Sequence, residues 1–173
     1  RLINLCRSLG YQKIGYYVSL LADARGHKPM PSIETIQNMK DRAIAVIAGS
    51  DLQEIIDESL SKVHSAEYVL SVYFGRNMAQ RHERLANALF RMFPSPYLQA
   101  TFQKSEKTQR WRLEGLKPMA IDDIPAGHAH FAEEATYARA LVGQADRVAV
   151  VADRTKFGRR ALVTICPLKS VDL

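Results

Sequence analysis

The chain has 173 residues, 47% of them hydrophobic and 24% charged, with a formal net charge of +6. That balance excludes a disordered polyelectrolyte, a collagen-like repeat and a disulfide-stapled mini-protein, and it suits one domain or one domain with an appendage. The 24 Lys and Arg are spread along the chain rather than massed, so the charge reads as solvated surface and a nucleic-acid groove is not expected.

Cys6 and Cys166 each lie in an apolar run, with no CxxC pair and no nearby histidine. Both are expected as buried free thiols of a cytoplasmic protein. No apolar run approaches the ~20 residues that cross a bilayer. The start at Arg1 instead of Met, inside a strand-like run, is what a piece of a longer chain would show.

In chain order, the apolar run Leu2-Ile3-Asn4-Leu5-Cys6 passes a polar corner, Arg7-Ser8-Leu9-Gly10, into a helical pattern that Arg25-Gly26 stops. Val18, Leu21 and Arg25 share one helical stripe, with Ile14, Tyr17, Leu20 and Ala24 beside it. That spacing predicts a helix buried on this side, and a short extended run after it completes a βαβ unit with a parallel strand pair. Gly26 suits the residue after a helix end, where a positive φ is cheap.

Further on, residues 43–48 fit either strand or helix, and Gly49-Ser50-Asp51 reads as a break whose Ser50 or Asp51 caps the next helix. That helix carries Leu52, Ile55, Ile56, Leu60 and Val63 on one face. Residues 68–74 are β-branched, aromatic and almost continuously apolar, the pattern of a central strand covered on both faces. Residues 80–93 predict a helix with a stripe of Leu85, Ala88, Leu89 and Met92, ended by Pro94. Residues 97–103 and 109–116 alternate about a polar turn and predict a β-hairpin, with Trp111 packed in the core or at an edge.

In open α/β sheets, ligands sit beyond the carboxyl ends of the strands. By that rule Arg7 and Ser8, after the first strand, and Arg76 and Asn77, after residues 68–74, are candidate ligand-binding residues. Ordinary polar turns are the simpler account of them. Gly75 stands without a GxGxxG or GKS/GKT pattern, so no nucleotide loop is expected. His128, His130, Glu133 and Glu134 lack a recognised metal spacing and read as a polar helix start.

Ile3-Asn4-Leu5-Cys6-Arg7-Ser8, then Gly15-Tyr16-Tyr17-x-Ser19-Leu20-Leu21-Ala22 and Ala24-Arg25-Gly26-His27-x-x-x-Pro31-Ser32, resemble the domain found N-terminal to RimK-like ATP-grasp ligases. Tyr73-Phe74-Gly75, Phe93-Pro94-x-Pro96 and Trp111 continue the likeness, which spans about residues 1–130. The resemblance implies an α/β domain that accompanies enzymes joining amino acids or small peptides with ATP, and it brings no catalytic residue with it. ATP and Mg belong by this reading only to a ligase core outside these residues.

Residues 133–173 resemble the sugar-phosphate-sensing domain of DeoR-type repressors, through Ala152-Asp153-Arg154-Thr155-Lys156-Phe157-Gly158 and Pro167-Leu168-x-x-Val171-Asp172. Asp153 and Lys156 at one strand end offer a sugar hydroxyl an acceptor and a phosphate a cation, or else they pair with each other. Neither the helix-turn-helix of such repressors nor an ATP-grasp core is found in the chain.

The sequence therefore predicts an α/β fold with one mixed, mainly parallel sheet and helices on both faces, opening with a βαβ unit and followed by a short β-containing C-terminal segment. Its expected divisions are 1–118, a linker over 119–130, and 131–173. The expected function is a non-catalytic accessory domain of an ATP-grasp peptide or amino-acid ligase, with the catalytic domain as partner in cis or trans. The alternative is a sugar-phosphate-responsive regulatory module. A small phosphorylated or amino-acid ligand fits either reading.

Overall fold

The structure, a computed structural model, describes residues 2–6, 8–142, 148–151 and 162–165. Its elements run β1 (Leu2–Asn4), α1 (Ile14–Ala24), β2 (Pro29–Met30), α2 (Ile33–Asn38), α3 (Arg42–Asp51), α4 (Gln53–Leu60), β3 (Glu67–Tyr73) and α5 (Glu83–Met92). Then follow β4 (Tyr97–Lys104), β5 (Trp111–Pro118), α6 (Ala129–Val142), β6 (Val148–Val151) and β7 (Leu162–Ile165). They form two compact units, one made of Arg1–Ser32 with Ala120–Leu173, the other of Ile33–Met119.

The first unit holds a four-stranded sheet in the order β2-β1-β6-β7. β1 pairs in parallel with β2, Leu2 opposite Pro29, and with β6, Ile3 opposite Val150. β7 is antiparallel to β6. The opening βαβ unit is present. Its helix ends as glycine chemistry requires: Gly26 sits at φ 72°, its N–H reaches the Asp23 carbonyl, and the His27 N–H reaches that of Ala22. These two bonds make a Schellman motif.

α1 is turned against expectation. Gly15, Ser19 and Ala22 face inward, while Ile14, Tyr17, Leu20 and Leu21 are exposed. The cause is close approach: a Cβ at Gly15 would lie 2.6 Å from the Ser8 carbonyl oxygen and 3.0 Å from the Cys6 Cβ. Only a small-residue face lets the helix backbone come this near to the loop after β1.

The second unit is a three-stranded antiparallel sheet, β3-β4-β5, with one apolar cluster. Leu98, Ala100 and Phe102 alternate inward along β4 and are fully buried. They meet Leu52 at the junction of α3 and α4, Ile56 and Leu60 of α4, and Leu85, Ala86 and Leu89 of α5 in that cluster. The predicted hairpin is β4–β5, with Trp111 buried and Leu113 beside it on the same inward face. After a register shift between Thr101 and Phe102, the next buried residue of β5 is Leu116, three positions beyond Leu113 instead of two.

The expectation of one mixed, mainly parallel sheet with helices on both faces is thus corrected: the strands divide between two sheets, and one of them is antiparallel throughout. The continuous apolar run misled because β3 is no central strand: among the described residues it pairs only with β4, yet Leu70 to Tyr73 are buried on both faces. Tyr73 pairs with Tyr97, so the chain between β3 and β4 leaves and returns at the same end of the sheet. A second correction concerns α3, which runs straight through Gly49-Ser50-Asp51. Gly49 is there for packing, since a Cβ would stand 3.1 Å from that of Leu113. Asp41 is the cap of α3, accepting from the Ala43 N–H at 2.8 Å, and α4 starts without a side-chain cap.

Candidate functional site

Three buried or exposed arrangements bear on function, and the first lies under the residues that carried the family likeness. Asn4, 1% exposed, donates through Nδ2 to the Gly15 carbonyl at 2.7 Å and to Ser19 Oγ at 2.9 Å, and its Oδ1 accepts from the Cys6 N–H at 3.1 Å. Ser19 Oγ, fully buried, donates in turn to the Pro31 carbonyl at 2.7 Å. Strand, loop, helix and the chain after β2 are tied by one satisfied polar network. Its groups are spent on one another, so it serves structure. Cys6 beside it is buried.

Of the candidate ligand residues, Arg7, Asp153 and Lys156 lie outside the described residues. Ser8 is exposed; its carbonyl accepts the Gly15 N–H at 3.1 Å and its hydroxyl the Gly10 N–H at 3.4 Å. Arg76 closes a tight turn by exchanging backbone bonds with Tyr73, both 2.9 Å, around Phe74 and Gly75 at φ 49° and 83°. Two positive φ values in sequence are the signature of a type I′ reversal. Asn77 is buried and engaged at both ends of its amide, donating to the Ser71 carbonyl at 2.7 Å and accepting from the Ala79 N–H at 2.9 Å. The strand-end rule that singled out Arg76 and Asn77 applies to parallel sheets. β3 stands in an antiparallel one.

The arrangement that sequence reading missed sits beside α4 and the 3₁₀ turn Gln80–His82 that leads into α5. His82 is fully buried between two polar partners. Arg81 Nε donates to His82 Nε2 at 3.0 Å, and His82 Nδ1 lies 2.8 Å from Ser59 Oγ. Because the guanidinium offers only hydrogens, Nε2 must be the bare nitrogen and Nδ1 carries the proton, which it gives to Ser59. Burial, then the neighbouring Arg81 charge, hold the His82 pKa below its usual value, in keeping with a neutral ring. Ser59 therefore receives a proton where a nucleophile would need to lose one, and this is no acyl-transfer dyad.

The Tyr68 ring leans against His82 at 5.1 Å, and burial raises its phenol pKa despite Arg81 nearby. The phenol is neutral and is no base. A cavity of about 240 Å³ opens here, lined among others by Glu58, Ser59, Lys62, Arg81 and Arg84. Arg84 is paired with Glu58.

The third arrangement is the outward side of α1. Ile14 is 63%, Leu21 51% and Tyr17 45% exposed, and Tyr11 just before the helix is 67% exposed. Tyr11, Tyr16 and Tyr17 stack edge to face, with centroids 5.3 and 5.9 Å apart. Large amphipathic rings of this kind are characteristic of protein–protein contacts.

Among the described residues no group of His, Cys, Asp and Glu is gathered to hold a metal, and no helix is long and apolar enough to cross a membrane. What the described geometry defines is an α/β module stiffened by its motif residues and exposing an apolar helix face. The family model for the RimK-like ATP-grasp N-terminal domain matches residues 1–135, and the chain belongs to that family. No curated protein and no solved structure matches it. The family match ends before most of the stretch likened to DeoR-type repressors, and that likeness gains no support from it.

Proposed function

We propose that the chain is a non-catalytic accessory domain of an ATP-grasp peptide or amino-acid ligase, and that the ligase's catalytic domain packs on the outward face of α1. The observation that carries this reading is the inversion of that helix: Gly15 and Ser19 fill the inside while Ile14, Tyr17 and Leu21 face out. An isolated domain gains nothing from exposing such a stripe, and contiguous exposed apolar patches mark interaction surfaces. Membership of a family named for its place N-terminal to ATP-grasp ligases supports a catalytic domain of that kind as the partner. In this arrangement ATP and Mg are held by the catalytic domain, and the setting is the cytoplasm, where the Cys6 thiol stays reduced.

Sedimentation velocity of the chain mixed with its ATP-grasp catalytic domain tests the reading. A complex is expected, and Tyr17→Glu with Leu21→Glu should abolish it while each partner stays folded. Failure of the two to associate, or association indifferent to these substitutions, would contradict it.

A further inference from the structure

The cavity beside Ser59 and His82 is rich in hydrogen-bond donors and poor in acceptors. We propose that it is an oxyanion site that takes the phosphate group of a small phosphorylated molecule. This stands apart from whatever covers α1, because the cavity is lined wholly by residues of the Ile33–Met119 unit.

Charge is the first argument. Lys62, Arg81 and Arg84 line the cavity against a single carboxylate, Glu58, which is already paired with Arg84. Among the described residues no carboxylate pairs with Lys62 or Arg81. Two positive charges are left over around one opening. A phosphate monoester, whose second ionisation falls near pH ~6, carries close to two negative charges at neutral pH and places both on one group.

The second argument is the direction of the hydrogen bonds. Arg81 donates to His82, and His82 donates to Ser59. With its oxygen already accepting from His82 at 2.8 Å, the Ser59 hydroxyl keeps its own proton to give. No other bond to that hydroxyl is formed within the described chain. The buried ring thus works as a spacer that fixes Ser59 as a donor and holds the Arg81 side chain in place. Ser59, Lys62 and Arg81 then offer donors from the lining of one cavity to oxygens that only accept.

Size is the third. At about 240 Å³ the cavity is smaller than the ~300–1,000 Å³ of sites that enclose a drug-sized ligand. It suits the anionic group of a molecule whose remainder stays in solvent.

The test is calorimetric titration of the whole chain with inorganic phosphate, with succinate as a dianion whose charges sit on two separate carboxylates. Saturable phosphate binding is expected, weakening as salt rises. Lys62→Met and Ser59→Ala should each lower the affinity, the first by about tenfold, with circular dichroism unchanged. Arg112→Met, on the exposed side of β5, should leave it alone. Lack of saturable binding at millimolar phosphate, equal loss in Arg112→Met, or succinate bound as tightly as phosphate would each overturn the proposal.

Discussion

Helices α1 and α5 each carry a stripe of large apolar residues; in α5 the stripe is buried in its own unit, and in α1 it is exposed to solvent. In α5, Leu85 and Leu89 are fully buried in the cluster under the antiparallel sheet. In α1, Leu21 and Ile14 stand more than half exposed, and the buried positions belong to glycine, serine and alanine. The difference lies in what each helix is fixed by. α5 is placed by apolar area removed from water, which rewards its largest side chains. α1 is placed by the Asn4 amide, which needs both the Gly15 carbonyl and the Ser19 hydroxyl turned towards it. Once those polar groups face inward, the large residues have only the outside left to occupy.

The sharpest way to break this contrast is to cut into the α5 stripe. Leu89→Ala removes a fully buried side chain and should cost ~2–5 kcal/mol in chemical denaturation. A loss under about 0.5 kcal/mol, the range of surface changes, would place α5 on the surface with the outer side of α1.

The polar anchors of the two helices differ as well, because Asn4 does not titrate and His82 does. His82 is neutral in the folded protein, with its pKa held below the ordinary 6.5. The unfolded chain therefore takes up this proton at a higher pH than the folded one. Stability attributable to His82 is present above about pH 6.5 and is lost progressively as pH falls below it. Denaturation midpoints measured from neutral to about pH 5 should decline more steeply for the parent chain than for His82→Gln. Identical slopes would show that the ring is as readily protonated when folded as when unfolded.

The same contrast explains what could be read in advance. The β4–β5 hairpin and the Leu85 and Leu89 stripe were legible because alternation and helical period report burial directly wherever packing is apolar. The glycine stop of α1 was legible because Gly26 has a local conformational reason to be there. The inside of α1 was not, since a periodicity count gives no weight to small residues whose value is close approach. Gly49 misled for the same reason, as a helix-breaker by propensity that is a spacer against Leu113 in fact. The direction of β4 relative to β3 left no mark on the pattern, since a strand buried on both faces looks alike in parallel and antiparallel sheets. Ser59 and His82, 23 residues apart, form no motif that spacing could reveal. The resemblance words pointed to the family correctly, but Asn4, Gly15, Ser19 and Pro31 turn out to hold the domain together.

The orientation of α1 carries both the contrast and the proposed docking face. Its most direct test is chemical denaturation of Gly15→Ala and Leu21→Ala side by side. Gly15→Ala drives a methyl group into the Ser8 carbonyl and should cost ~1–3 kcal/mol. Leu21→Ala removes a side chain from the outer, half-exposed face and should stay within about 0.5 kcal/mol of the parent. The reverse order, with Leu21→Ala costing ~2 kcal/mol or more and Gly15→Ala nearly neutral, would mean that the large apolar stripe faces the core after all.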